Sequence, residues 1–461
     1  MKDLTQGSVR GHIIAMAAPV AVAMLVQTLY FLVDLYFVSR QGSDTVAGVS
    51  AGGNAMMLVM ALTQMLSVGT VSLISHATGA KDRPRAQQVF NQAMGLGVLC
   101  MLAALGLGAV GIAPYMQALG AGEGIAEAGR AYLWAYLPGL ALQFPMAVMA
   151  SAMRGTGVAK PGMVVQMLTV AVAVNIVLAP VLIAGWGTGH PLGAMGAGLA
   201  SSLAIGVGVV AMAVYFKRLE SYLSVDMRAW WPQAAVCKPL LRVGLPAGGE
   251  FLLMFIYISG IYWLIRRFGP AAQAGFGIGM RVMQSTFLPA MAISFALPAV
   301  AGQNFGARRA DRVRETFKQG LILECSVMLL LMAICHLAPQ AMIGAFTSDP
   351  AAATVGAEFL TIISMNFLAM GVVFACSGLF QAMGNTWPAM ASTATRLLSF
   401  MLPAYFLVQQ PGLALRQLWF LSVATVVLQA TVSALLVRWQ LRERLRGFET
   451  APMVSAVSAA A

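Results

Sequence analysis

Few acidic side chains interrupt the apolar stretches of this chain, and one of them, Asp34, stands in the run YFLVDLYFV. A carboxylate at membrane depth is costly unless it is paired, hydrated or protonated. Low-dielectric surroundings favour the neutral acid, so Asp34 can take up and release a proton; the alternative is a helix-end residue that reaches water or pairs with Arg40. Gln27 precedes Asp34 by about two helical turns and shares its face. Pro19 lies further down the same stretch and removes a backbone hydrogen bond, so a helix kinked there can bend when the acid changes charge. Asn175 offers amide donors and an acceptor, for another helix or for a site beside Asp34. Glu250 falls about a third of the way into a later span, where it faces a cavity and attracts cations or pairs with Arg281 or another helix. Arg281 and Arg396 lie within spans, each suited to an acid partner or an anionic substrate. Glu324 and Glu358 are nearer span ends and are expected to snorkel to water.

Other chemistry is not encoded. His12, His76, His190 and His336 sit near span ends without metal-ligand spacing, and no pair among Cys100, Cys237, Cys325, Cys335 and Cys376 forms a CxxC motif. No metal site, disulfide or bound cofactor is expected, apart from a coupling ion: H+, or Na+ held at Asp34 and Asn175. HExxH, a Walker lysine loop and a GxSxG elbow are absent, so the chain does not read as an enzyme, and transport would run on an ion gradient or passively.

The elements that must position these residues are membrane helices. Hydrophobic residues make up 59% of the 461 residues and charged residues 10%, a balance that a soluble chain of this size cannot hide. Spans are expected at 13–38, 46–75, 89–113, 131–153, 161–184, 192–216, 243–265, 273–303, 317–338, 357–380, 389–408 and 417–437, roughly twelve at the length a bilayer requires. The net charge of +12 suggests nucleic acid, but most Lys and Arg fall in alternate connections, as the positive-inside rule requires. This places both termini in the cytoplasm of a multi-pass plasma-membrane protein of bacterial inner-membrane type, with the bilayer and no nucleic acid as partner.

The chain also repeats itself. At one constant offset Pro19 meets Pro246, Gly42 meets Gly269, and GAKDRPRAQQVFNQ meets GARRADRVRETFKQ. Six spans per copy give two parallel repeats in the same orientation. The expected architecture is all-α: an N-terminal six-helix lobe at 1–216, a cytoplasmic inter-lobe loop at 217–238, a C-terminal six-helix lobe at 239–446 and a disordered tail at 447–461. A repeat that supplies its own two-fold cavity suits a monomeric transporter better than an oligomeric channel.

With these motifs in hand, the chain resembles the multidrug and toxic compound extrusion (MATE) family. The resemblance rests on PVAVAMLVQTLYFLVDLYFV, SHATGAKDRPRA, MRGTGVAKP and NIVLAPVLIAGWGTGHPLGAMGAGLA, and on AGQNFGARRADRVR and FQAMGNTWP in the second half. It implies two lobes flanking a central cleft and export of amphipathic, often cationic, compounds in exchange for protons or sodium. It assigns coupling to Asp34, the kink to Pro19, and supporting roles to Gln27 and Asn175. Ala179 stands where the family often has a second aspartate, and 367–380 hold no acid. Glu250 lies about a turn before the second-lobe glutamate of some members. One acid suits a proton better than sodium, which wants several oxygen ligands. A sodium-coupled antiporter, or a flippase or exporter of a secreted metabolite or lipid-linked precursor, is the alternative.

Overall fold

The computed structural model describes residues 1–40, 43–119, 122–167, 175–187, 189–218, 222–347 and 349–449. The first half holds α1 (Val9–Ser39), α2 (Ser43–Gly79), α3 (Arg83–Ala118), α4 (Glu123–Gly155), α5 (Lys160–Gln166), α6 (Asn175–Ala184) and α7 (Gly193–Arg218). The second holds α8 (Ala234–Ile265), α9 (Pro270–Thr286), α10 (Leu288–Gly306), α11 (Ala310–Leu337), α12 (Pro339–Gly344), α13 (Pro350–Ser364), α14 (Phe367–Ala382), α15 (Trp387–Val408) and α16 (Leu415–Glu449). Local chemistry fixes several starts. The Ser8 hydroxyl accepts from Gly11 N at 3.2 Å, Asp82 from Arg85 N at 2.9 Å and Asp349 from Ala351 N at 3.0 Å, each satisfying an orphan helix donor.

The architecture is the two-lobe, all-helical membrane bundle expected. Among the described residues nine helices are long and apolar enough to cross a membrane. Two more spans are broken ones: α9 and α10 bend by 51°, and α13 and α14 by 58°. Each had read as one continuous span, at 273–303 and 357–380. The span expected at 161–184 falls on α5 and α6, with 168–174 outside the described residues. The stretch 217–238 carries a short 3-10 turn at Met227–Trp230, and α8 begins within it. Its backbone lies on α3, where Gln92 Nε2 donates to the Ala229 and Trp231 carbonyls at 2.6 and 2.9 Å. At the tail, α16 runs to Glu449 and residues 450–461 lie outside the described set.

The repeat extends to backbone conformation. Lys81 and Arg308, at equivalent positions, are the non-glycine residues with positive φ among those described (58° and 55°). Each follows a helix-ending glycine, as left-handed C-terminal turns do. Gly157 and Gly384 form a second such pair (82° and 68°), and Gly185 and Gly412 a third (72° and 83°).

Candidate functional site

The lobes meet across a pseudo-two-fold at the ends of α2 and α10, beside the basic segments around Lys81 and Arg308. A Cβ on Gly79 would stand 1.9 Å from the Gln303 carbonyl oxygen, and one on Gly306 would stand 2.1 Å from that of His76. His76 and Gln303 are themselves equivalent positions. His76 Nε2 bonds the Ala382 carbonyl at 2.6 Å, and Gln303 Nε2 donates to the Gly155 carbonyl at 3.1 Å, again equivalent acceptors. Small residues let the two backbones touch, as in close membrane-helix crossings.

Two further contacts join the lobes here. Arg154 of α4 donates to the Ser67 and Ser151 hydroxyls at 2.9 and 3.0 Å, and its Cζ lies 5.9 Å from the Phe295 ring of the other lobe. The N-terminal segment then straps both lobes. Lys2 N donates to the Thr156 carbonyl at 2.9 Å in the first lobe. Leu4, 0% exposed, donates through N to Gln303 Oε1 at 2.9 Å in the second, and its carbonyl accepts from Asn304 Nδ2 at 3.3 Å. Arg309 donates to the Thr5 carbonyl, and Arg312 to the Gly7 carbonyl at 3.0 Å.

The lobes continue in contact where Gly244 and Gly248 of α8 lie against Met65 and Ala61 of α2. Farther along α1, Leu25, Gln27 and Leu29 are exposed, as are Met254 and Phe255 of α8. Pro19 is buried within an unbroken α1, which contacts α10 of the opposite lobe through residues such as Ile13 and Met16. Asp34 lies on α1 and Asn175 opens α6; their side chains are outside the described residues.

In the second lobe, Glu250 is tied into a polar chain. Thr393 Oγ1 donates to Glu250 Oε1 at 3.3 Å, and Gln429 Nε2 donates to Thr393 Oγ1 at 3.2 Å. Ser377 also hydrogen-bonds the Glu250 carboxyl, and Gln381 Nε2 donates to Ser377 Oγ at 3.4 Å. Its described partners are thus hydroxyls of α14 and α15. Arg281 is exposed on α9, with its charge close to Tyr262 of α8. Arg396 sits 4.4 Å above the Tyr257 ring, with Nη1 3.7 Å from Met370 Sδ. Glu358 is exposed, but Glu324 is fully buried inside the bundle and does not snorkel. Thr393, Ser377, Gln429 and the His76–Gln303 pair carried no motif. Only the internal repeat could have singled out the last.

A duplicated helical bundle that closes on its own pseudo-dyad and keeps polar side chains inside each lobe defines the class of two-lobed membrane transporters. The MatE family profile matches residues 19–181 and 246–406, one match per lobe, and the chain belongs to that family. The probable multidrug resistance protein NorM of Thermotoga maritima is 27% identical over 438 residues, covering 93% of this chain and 92% of that one. The multidrug export protein MepA of Staphylococcus aureus is 23% identical over 436 residues, covering 93% of each. A crystal structure of a MATE protein in complex with MaL6 superposes with a TM-score of 0.89 at 25% identity, covering 97% of this chain and 99% of that one. A MATE transporter of the MOP superfamily described as outward-facing gives 0.89 at 24% identity over 98% and 99%, a likeness of fold.

Proposed function

We propose that the protein is a secondary active exporter of amphipathic, often cationic, drugs or toxic metabolites, working as a monomer in a bacterial-type plasma membrane with both termini in the cytoplasm. The observation that carries this reading is the family match over both repeats, joined to close backbone packing of the two lobes at the basic end of the bundle. With that end cytoplasmic by the positive-inside rule, the contacts there close the molecule toward the cytoplasm. Export then alternates this form with one in which the α2–α10 crossing parts.

Coupling is by proton antiport through Asp34, with Asn175 and Gln27 as its polar neighbours and Pro19 as the point about which α1 bends. A neutral Asp34 lets that part of α1 sit in apolar surroundings, and an ionised one must meet water or a cation. Protonation from outside and substrate binding then exclude one another through the shape of α1. Glu250 supplies a second acid for cationic cargo, and Arg281 is a further candidate for contact with substrate.

Reconstituted vesicles test this. With pH clamped on both sides, a sodium gradient is expected to drive no efflux, while a pH gradient drives it. Asp34→Asn is expected to insert normally and lose pH-driven efflux. Sodium-driven efflux at clamped pH overturns the proton choice, and full activity of the Asn variant overturns the role of Asp34.

A further inference from the structure

Glu324 lies in the middle of α11 with 0% of its surface exposed, and among the described residues neither carboxyl oxygen meets a hydrogen-bond donor. Its surroundings are built from close helix contacts. One turn before it, a Cβ on Gly320 would stand 2.5 Å from Leu297 Cδ2 of α10. Beside it, a Cβ on Gly371 of α14 would stand 3.4 Å from the Glu324 carbonyl, and one on Gly378 would stand 2.9 Å from Leu297 Cβ. So α10, α11 and α14 approach one another through glycines in the region where Glu324 is buried.

Among the described residues no compensating charge faces it. α10 and α12 carry no ionisable side chain, and α14 contributes only the Cys376 thiol. The face of α1 packed here is Ile13, Met16 and Ala17. Glu358 of α13 is exposed, and the charges of α16 cluster toward its ends, at Arg416 and from Arg438 onward. On α11 itself the neighbouring ionisable group is the Cys325 thiol, Lys318 lies more than a turn away, and His336 stands in the last turn. An ionised carboxylate in that position is an unpaired charge without a donor, which costs far more than a neutral acid with an unmet O–H.

We infer that Glu324 is a proton-binding site inside the second lobe, neutral while α10, α11 and α14 are packed and ionised when they part. In the parting step the carboxylic acid gives its proton to water entering between the helices, and the resulting carboxylate is hydrated. The packed form therefore holds a proton that the parted form releases, so acid favours packing and alkali favours parting. The site is separate from Asp34 and does not depend on what the protein transports.

Infrared spectroscopy of the full chain in lipid nanodiscs reads the proton directly. At neutral pH the C=O stretch of a neutral carboxylic acid is expected, shifted by 13C-labelled glutamate, retained in Glu250→Gln and lost in Glu324→Gln. The labelled spectrum of Glu250→Gln does not require the Glu324 variant to fold, because Glu123, Glu127, Glu315, Glu358 and Glu443 are exposed. Absence of a glutamate-sensitive acid band, or its survival in Glu324→Gln, overturns the inference. Thermal stability gives an independent arm: Glu324→Gln is expected to match the parent in acid and exceed it in alkali, and parallel curves throughout contradict the site.

Discussion

Gly79 and Gly306 tolerate no side chain in the closed form, because the space a Cβ needs is occupied by backbone of the other lobe. Gly79→Ala and Gly306→Ala are expected to cost the closed form about 1–3 kcal/mol each, the usual penalty for forcing atoms into a filled interface. That loss reads as greater labelling of a cysteine placed beside either glycine, relative to the same reporter on the parent; unchanged labelling contradicts the crossing. Glu250 makes a different prediction. Glu250→Gln keeps a partner for Thr393 but removes the charge, so export of cationic dyes should fall while export of neutral dyes holds. Equal loss for both dye classes, measured in the same vesicles, assigns Glu250 to structure instead. Asp34 and Glu250 stand out in the sequence as acids in apolar stretches, whereas the hydroxyl partners of Glu250 on α14 and α15 came only with the structure. Glu324 was misread because position along a span says nothing about which face of the helix is covered.

The N-terminal segment behaves as an element in its own right. It places Leu4 in the interface and offers successive carbonyls to Asn304, Arg309 and Arg312. Leu4→Asp buries an unpaired charge and should free the strap, shifting the molecule toward the form open at the basic end. A spin-label distance between the ends of α2 and α10 checks this; an unchanged distribution counts against the strap. Acid should loosen the same element. The Thr5 hydroxyl and amide on Asp3 Oδ1, at 2.6 and 2.8 Å, hold the Asp3 carboxyl below its ordinary value, with help from Lys81 and Arg309. A lowered value means the contribution is present above the unfolded-chain value and is lost as pH falls through the lowered one. Thr5→Ala should move strap release toward higher pH, followed by the same spin labels. The strap itself was not visible in sequence, since its partners on the lobes, Thr156, Gln303, Asn304, Arg309 and Arg312, are far away along the chain. The breaks after Thr286 and Ser364 were also hidden. Both flanking segments are apolar, and the two breaks meet where Phe287 packs edge-to-face on Phe367 at 4.7 Å, a contact between distant segments.

At the scale of the whole molecule, the duplication was plain before any coordinates, because one offset aligned both halves. What the offset could not tell was how the copies face each other. The structure answers with reciprocal contacts: His76 and Gln303 each reach the end of the other lobe's corresponding helix. Their combined replacement, His76→Ala with Gln303→Ala, should widen the basic end more than either alone. The domain limits at 216 and 239 were drawn by hydropathy, yet α8 starts earlier, since Ala234–Lys238 can extend a helix that lies on α3 through the preceding turn.

Coupling at Asp34 is tested most directly by running the exchange backwards. Vesicles loaded with a transported dye and a trapped pH indicator begin with no proton or sodium gradient. Dye leaving down its own gradient should drive protons the opposite way in the parent protein and produce no pH change with Asp34→Asn. Dye movement without proton counterflow, or an equal pH change in the Asn variant, contradicts proton antiport through this carboxyl.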